Sequence, residues 1–328
     1  MLGKTIVHFL PALVSGLIVQ LVLHEAGHLL GGLLTGWEFL YLQIYGLVVK
    51  RESKKLKLMI VGDTGFRCIM SPVSIDNKAL MYTMGGCLAN LFSGMAGLAV
   101  VIMADMPQVL WLYTWCFSAI GISFFVINGV ESNKRLCNDG TCRRLLKSDG
   151  YNLICHNAQL MAAKYLLTGI SYGEIGDDII CLCPDKAEND ITACQAVLEY
   201  YHYLDTGDYA KAENALNKVR DTRNLCREIS YIVELERAYI KLFASDKNSD
   251  VTTIKAIINK HAKKKDVHSL RILALYDARE LFLAGCGDKA KKRIGKAIDH
   301  IRKTNCIFEG DRIFCIKQLR EMSHFFNS

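Results

Sequence analysis

The sequence predicts a mainly α-helical membrane protein in two parts, divided at about residue 148. Residues 1–148 hold three long apolar segments, about 5–34, 78–104 and 109–129. Each segment is long enough to cross the roughly 30 Å apolar layer of a bilayer. Between the first two lies a β-rich stretch that predicts a short hairpin, and residues 149–328 are polar with helical periodicity, which predicts a soluble α-helical region.

The first apolar segment contains His24-Glu25-Ala26-Gly27-His28. On a helix, His24 and His28 lie one turn from each other on the same face, so both imidazoles can bind one Zn²⁺. Glu25 can then act as a general base towards water. Charged groups inside such a segment are costly and usually mark a functional site. The alternative is a core helix whose two histidines only make hydrogen bonds.

The β-rich stretch contains FLYLQIYGLVV and KLKLMIVG, separated by the charged turn KRESKK. Its partial alternation predicts a small hairpin or sheet. Trp37, Tyr41 and Tyr45 favour the membrane–water interface, so we expect this element to lie at the membrane surface. In the second apolar segment, the small residues of GGCLANLFSG allow neighbouring helices to approach closely.

Charge predicts the topology. The net charge of +7 is modest and does not indicate a nucleic-acid partner. The loop after the first segment and the stretch after the third are rich in basic residues, whereas the short loop between the second and third has none. By the positive-inside rule, the protein is a multi-pass protein of the cell membrane with its N-terminus outside and its C-terminal region in the cytosol.

The chain contains 13 cysteines, an odd number that argues against a secreted disulfide framework. We expect reduced thiols in a cytosolic compartment. Cys181 and Cys183, in CLCP, offer two metal ligands without matching partners, which is a weak signal.

These motifs resemble those of the site-2 protease family of intramembrane zinc metalloproteases. That family has a three-helix core with HExxH in the first helix, a GxxxN-type motif in the second and an Asn…Asp-Gly motif at the end of the third. The chain matches with His24–His28, then Gly86 and Asn90, then Asn128 and Asp139-Gly140. The resemblance covers about residues 1–148 and implies a three-transmembrane-helix metalloprotease core.

The sequence departs from the family pattern after the third segment. The proline-rich stretch of the family is replaced by NGVESNKRLCNDG, which is longer and lacks proline. This leaves the alignment of Asn128 open and makes Asp149-Gly150 a rival to Asp139-Gly140. Asp139 is preferred because it is nearer to the membrane end of the segment.

The resemblance implies a role for each residue. His24, His28 and Asp139 would be zinc ligands, with Glu25 as general base and proton donor to the leaving amine. Asn90 would hydrogen-bond the substrate backbone or its oxyanion. The alternatives are an interhelical hydrogen bond for Asn90 and a helix N-cap for Asp139.

The C-terminal region contains two stretches that predict helical hairpins, 196–219 and 274–301, with turns at Gly207-Asp208 and Gly287-Asp288. Aligning these turns pairs Ala210 with Ala290. Further helical patterns cover 227–244 and 252–264, and the basic run Lys260–Lys265 ends the second of these. The hairpins resemble degenerate tetratricopeptide (TPR-like) repeats, which bind peptide or protein partners on a concave surface. The alternative is a plain helical bundle.

These features favour a zinc endopeptidase that cleaves a peptide bond in or next to a transmembrane segment of a membrane-bound substrate. Its expected partners are the lipid bilayer, a membrane-embedded protein or peptide, and a cytosolic protein on the helical repeats. The alternative is a proteolytically inactive membrane scaffold that recruits a partner through those repeats.

Overall fold

The structure is a computed structural model that describes residues 2–52, 55–62, 64–131, 138–220, 222, 225–244, 255–258 and 266–324. It is mainly helical and contains a small antiparallel sheet, as the sequence predicts. The chain forms two compact units, Met1–Leu58 with Asp63–Asn157, and Met59–Gly62 with Ala158–Ser328. The main division therefore falls after the boundary that the sequence suggested at residues 148–149.

Three long helices correspond to the three apolar segments: α1 (Leu2–Leu34), α2 (Leu80–Met103) and α3 (Gln108–Gly129). By length and composition, all three are able to cross a membrane. Large apolar side chains on these helices are exposed, among them Ile102 at 75% and Met103 at 85%. An exposed apolar surface of this kind suits contact with lipid and is compatible with membrane association.

Small residues allow α1 and α2 to meet backbone to backbone. A Cβ atom added at Gly27 would collide with the Gly85 carbonyl oxygen, and one added at Gly85 would collide with the Gly27 carbonyl oxygen. Gly31, one turn further along α1, lies equally close to the Met81 carbonyl. Helices inside a bilayer associate through such close packing, which glycine alone permits at these positions.

The β-rich stretch forms a four-stranded antiparallel sheet in the order β3-β2-β1-β4. Its strands are β1 (Glu38–Ile44), β2 (Leu47–Glu52), β3 (Lys55–Ile60) and β4 (Phe66–Ser71). The sheet has more strands than the predicted short hairpin. Tyr45 adopts a left-handed conformation (φ 57°) and divides FLYLQIYGLVV into two strands. The fourth strand, β4, pairs with β1 and lies at one end of the sheet.

Two further helices follow α3, namely α4 (Asp139–Ser148) and α5 (Gly150–Leu167). From Ala158 onwards, the regular elements of the second unit that the structure describes are all helical. Its elements are a 3₁₀ turn (Tyr172–Glu174), α6 (Asp177–Ile180), α7 (Asp190–Asp205), α8 (Tyr209–Asn217), α9 (Arg227–Ala244), α10 (Val267–Leu283), α11 (Gly287–Lys303) and α12 (Glu309–Ser323). Of the predicted helix 252–264, only the helical residues 255–258 are described, and the basic run Lys260–Lys265 lies outside the described residues.

The two predicted hairpins are present as α7–α8 and α10–α11, but the alignment of their turns was wrong by two residues. Gly207 and Gly285 are the equivalent glycines, with φ values of 81° and 74°. Each glycine follows a helix, and the backbone N–H of the next residue donates to a carbonyl oxygen five residues earlier. Asp208 donates to Tyr203, and Cys286 donates to Leu281. This is the Schellman pattern of helix termination, which selects glycine for its left-handed conformation.

The corrected alignment also changes the matching alanines. Ala212, rather than the exposed Ala210, is the equivalent of Ala290, and both Ala212 and Ala290 are completely buried. Small buried side chains at this position allow the second helix of each hairpin to pack closely.

Candidate metal centre

The two histidines of HExxH lie on one face of α1, as their spacing predicts. The Nε2 atoms of His24 and His28 are 3.2 Å from each other. The Oδ2 atom of Asp139, at the start of α4, lies 3.2 Å from the His24 Nε2 and 3.5 Å from the His28 Nε2. Two elements that are distant in sequence, α1 and α4, therefore bring three candidate ligand atoms together.

Hydrogen bonds from α2 determine which nitrogen of each imidazole is protonated. The His28 Nδ1 lies 2.7 Å from the Tyr82 carbonyl oxygen, which can only accept, so this nitrogen carries the proton. The His24 Nδ1 lies 2.6 Å from the Asn90 Oδ1. The Asn90 Nδ2 donates to two oxygens of Gln20, so Oδ1 is its acceptor and the His24 Nδ1 is also protonated. Both Nε2 lone pairs consequently point into the space between the ligands.

The third candidate ligand is held by contacts between the start of α4 and the end of α3. The Asn138 side chain accepts the Thr141 N–H and so caps α4, while its Nδ2 donates to the carbonyl oxygens of Ile127 and Val130 at the end of α3. Gly140 packs against the Gly129 backbone, where a Cβ atom would collide. The N-cap of α4 is therefore Asn138. Asp139 does not have the capping role that was the alternative to metal binding.

Asp139 and its rival Asp149 have different surroundings. Asp149 is exposed, and its Oδ1 accepts the N–H of Tyr151 at the start of α5, at 3.0 Å. Asp139 lies beside both histidines and also accepts a hydrogen bond from the Cys87 thiol, at 3.2 Å. The structure thus brings Asp139, and not Asp149, to the HExxH motif.

The geometry of the three ligand atoms fits zinc. Tetrahedral ligands at the usual Zn–N distance of about 2.0–2.1 Å lie about 3.3 Å from one another. The observed separations of 3.2, 3.2 and 3.5 Å are close to that value. Two unprotonated nitrogens and a carboxylate also repel one another unless a cation lies between them. His24, His28 and Asp139 would therefore hold the ion and leave a fourth position for water.

Gly86 provides the space for this centre. A Cβ atom at Gly86 would lie 2.5 Å from the His28 Nε2 and 2.8 Å from the His24 Nε2. Any side chain at this position would therefore fill the space to which both nitrogens point. The glycine of the GxxxN-type motif thus borders the candidate site directly.

The carboxylate of Asp139 is ionised in this environment. Burial alone would raise the pKa of its carboxyl group, but hydrogen-bonding and charge interactions with His24 and His28 outweigh burial and hold this pKa well below its usual range. These interactions arise when the imidazoles also carry a proton on Nε2, and a metal ion between the three groups would take the place of those protons. The ionised form is also the form that ligates a metal.

Glu25 lies next to the two histidines in sequence and is 5% exposed. Its carboxylate lies near the Cys68 backbone of β4. The Cys68 carbonyl oxygen in turn accepts the Tyr82 hydroxyl, at 2.9 Å. Trp37 stacks on the Tyr82 ring with the ring centroids 4.6 Å from each other. β4 therefore borders the carboxylate that the sequence predicts to be the general base.

Asn90 makes its polar contacts within the helices. Besides the bond from His24, its Nδ2 lies 2.8 Å from both the backbone oxygen and the Oε1 of Gln20, and Asn90 is completely buried. Gln20 extends the chain of hydrogen bonds by donating to the Phe117 carbonyl of α3, at 3.1 Å. These are the interhelical hydrogen bonds that were the alternative to a contact with substrate, and they orient His24.

Sequence reasoning missed several residues of this site. Gln20 was visible as a polar interruption of an apolar segment, a signal that usually marks a functional position. Cys87 and Tyr82 gave no such signal, since a buried cysteine and an aromatic residue are common in helix cores. Asn138 was visible in the NDGT sequence, where an asparagine before a helix is a typical N-cap.

Comparison of the chain with models of protein families, with curated proteins and with solved structures gave no match.

Proposed function

We propose that this protein is a zinc endopeptidase that cleaves a peptide bond in or next to a transmembrane segment of a membrane-bound substrate. The observation that carries the proposal is the convergence of His24, His28 and Asp139 beside the buried Glu25, with both histidines on a helix apolar enough to cross a membrane. The chemistry of this set of groups is that of a hydrolytic zinc enzyme.

In the proposed mechanism, each residue of the site has a separate role. Zinc, when bound, would act as a Lewis acid on the scissile carbonyl and lower the pKa of water at its open position. Glu25 takes the proton from the attacking water and passes it to the leaving amine. Asn90 and the Tyr82 carbonyl keep the Nε2 atoms of the two histidines directed at the ion.

The surroundings of the site indicate its class of substrate. HExxH lies in the last third of α1, on a helix whose side chains are largely apolar and exposed. β3 also presents Leu56 and Leu58, which are 68% and 65% exposed. Such surfaces suit a lipid bilayer, so a substrate that reaches the site is most simply a membrane-embedded or membrane-adjacent peptide segment.

The test of the proposal is cleavage of a membrane-spanning peptide by the purified chain in liposomes. We expect cleavage to stop when a chelator removes the metal and to return when Zn²⁺ is added, because the three ligands then hold the ion again. If the protein retains bound zinc but cleaves no peptide, the alternative of an inactive scaffold is favoured. Cleavage that is unaffected by a chelator would contradict a metal mechanism.

We further propose the topology that the basic residues indicate, with the N-terminus outside and the C-terminal unit in the cytosol. A fluorescent reporter that folds only in the cytosol should be bright when joined after Ser328. The same reporter should be dark when inserted in the loop 104–107 between α2 and α3. A phosphatase that is active only outside the cytosol should give the opposite pattern at each position. The reversed result for both reporters would show that the orientation is inverted.

We propose that the C-terminal unit selects or positions the substrate as a TPR-like domain. Its support is the pair of helical hairpins with equivalent turns at Gly207 and Gly285. An open recess of about 680 Å³ lies at the first of these turns, bordered by Ser171, Asp205, Tyr209 and Lys317 among others. A recess with both charges and an aromatic ring suits a peptide segment of a protein partner.

A further inference from the structure

A second cluster of candidate metal ligands lies in the C-terminal unit. It consists of Asp177, Cys181 and His202, whose ligand atoms all lie within 4.8 Å of one another. The sequence indicated only the cysteines of CLCP, without matching partners. The fold supplies the partners, because α6 places Asp177 one turn before Cys181 and α7 places His202 opposite them.

His202 is oriented for metal binding. It is 7% exposed, and its Nδ1 lies 3.0 Å from the Tyr172 carbonyl oxygen. Since a carbonyl only accepts, the Nδ1 carries a proton, and the Nε2 of the neutral ring is unprotonated. That Nε2 lies 3.2 Å from the Asp177 Oδ1, so a lone pair faces a carboxylate oxygen. Such an arrangement requires a cation, either a second proton on the ring or a metal ion between the two groups.

Cys181 completes the set at the end of α6. Its N–H donates to the Asp177 carbonyl oxygen at 2.8 Å, which fixes the helical spacing between the two side chains. Its Sγ lies 3.3 Å from the Tyr203 hydroxyl oxygen. A phenol hydroxyl at this distance can donate to a thiolate, and contacts of this kind support metal ligands in proteins.

We propose that Asp177, Cys181 and His202 bind a Zn²⁺ ion that links α6 to α7. A thiolate, an imidazole and a carboxylate are the three ligand types that zinc uses in proteins, and softer or harder ions would favour a less mixed set. The Asp177 side chain is 80% exposed, so the ion can enter from solvent and keep a water at its fourth position. The competing arrangement is an ion pair between protonated His202 and Asp177 without a metal.

The experiment is a Co²⁺ titration of the full-length protein in detergent after removal of bound metal. Cobalt replaces zinc, and a thiolate bound to it gives a charge-transfer absorption band in the near ultraviolet. The His24→Ala protein is used so that the centre on α1 does not contribute. It should bind one equivalent of Co²⁺ with this band, and Zn²⁺ should displace the cobalt.

Cys183→Ser is the matched control, because its buried thiol donates to the Thr192 carbonyl oxygen at 3.4 Å and takes no part in the cluster. In the His24→Ala protein, Cys181→Ser should abolish the band, whereas Cys183→Ser should leave it unchanged. Asp177→Asn keeps the size of an exposed side chain and should weaken binding at least about tenfold without unfolding the protein. A helical circular dichroism spectrum confirms the fold of each variant.

The proposal is overturned if the His24→Ala protein shows no thiolate band. It is equally overturned if the band survives Cys181→Ser, or if Asp177→Asn binds cobalt as tightly as its parent. These results concern only the C-terminal cluster, since the assay requires neither peptide cleavage nor the ligands on α1. If the protein proved not to be a peptidase, the cobalt-binding results would be unchanged.

Discussion

Replacing Glu25 with glutamine should lower the rate of peptide cleavage by about 10²–10⁴-fold while leaving the zinc content at the wild-type level. The carboxylate is buried beside the two histidines but is not one of the three converging ligands. Loss of a general base typically costs a factor of this size, and more when the same group also protonates the leaving amine. The measurements are the cleavage rate of a membrane-spanning peptide in liposomes and the zinc bound per chain.

Glu131→Gln is a suitable control, because Glu131 is an exposed carboxylate that pairs with Arg144 instead of the histidines. It should cleave at the wild-type rate. If Glu25→Gln also cleaves at that rate with its zinc retained, Glu25 is not the base and the enzyme proposal fails. The scaffold alternative would then be favoured.

Replacing Asp139 with alanine should remove most of the bound zinc and abolish cleavage. The substitution leaves two imidazoles as the remaining protein ligands, and no group replaces the carboxylate. Metal affinity falls steeply when one of three protein ligands is lost. The matched change is Asp149→Ala, ten residues along the chain in the other Asp-Gly pair. Because the exposed Asp149 carboxylate accepts a local bond from the Tyr151 N–H and lies away from the histidines, that variant should keep both zinc and activity.

Metal analysis of the two purified proteins decides between the rival aspartates. Full zinc occupancy in Asp139→Ala would exclude Asp139 as a ligand. Loss of zinc in Asp149→Ala alone would show that the other Asp-Gly pair supplies the third group. Equal thermal stability of the two variants without metal would show that the difference is one of binding and not of folding.

Local spacing explains how much of the site the sequence could predict. The i,i+4 rule places His24 and His28 on one face of any helix, so their proximity needs no knowledge of the fold. Helix ends were also predictable, because apolar length determines where α2 and α3 begin and end. The two C-terminal hairpins were predicted as helices and turns, but the sequence alone did not show that Gly285, and not Gly287, adopts the left-handed conformation.

Contacts between distant segments explain what could not be predicted. Asn90 is bonded to Gln20 and His24 across 70 and 66 residues, and Asn138 joins the end of α3 to α4. No periodicity within one segment contains this information. The same holds for Cys181, whose partner His202 comes from the next long helix and converts a weak two-cysteine signal into a three-ligand cluster.

The contact between Gly27 and Gly85 restricts the route by which a peptide can reach the ligands. The two backbones leave no room for one methyl group, so α1 and α2 behave as a fixed pair at the level of the histidines. Parting them would withdraw the Tyr82 carbonyl from His28 and the Asn90 amide from His24, because both acceptors belong to α2. In the proposed peptidase, a substrate would therefore reach the ligands from a side other than the one between α1 and α2. Moving α3 away would likewise withdraw Asp139, because Asn138 ties the start of α4 to the end of α3. The side of the sheet is therefore the one whose opening would leave all three candidate ligands in place.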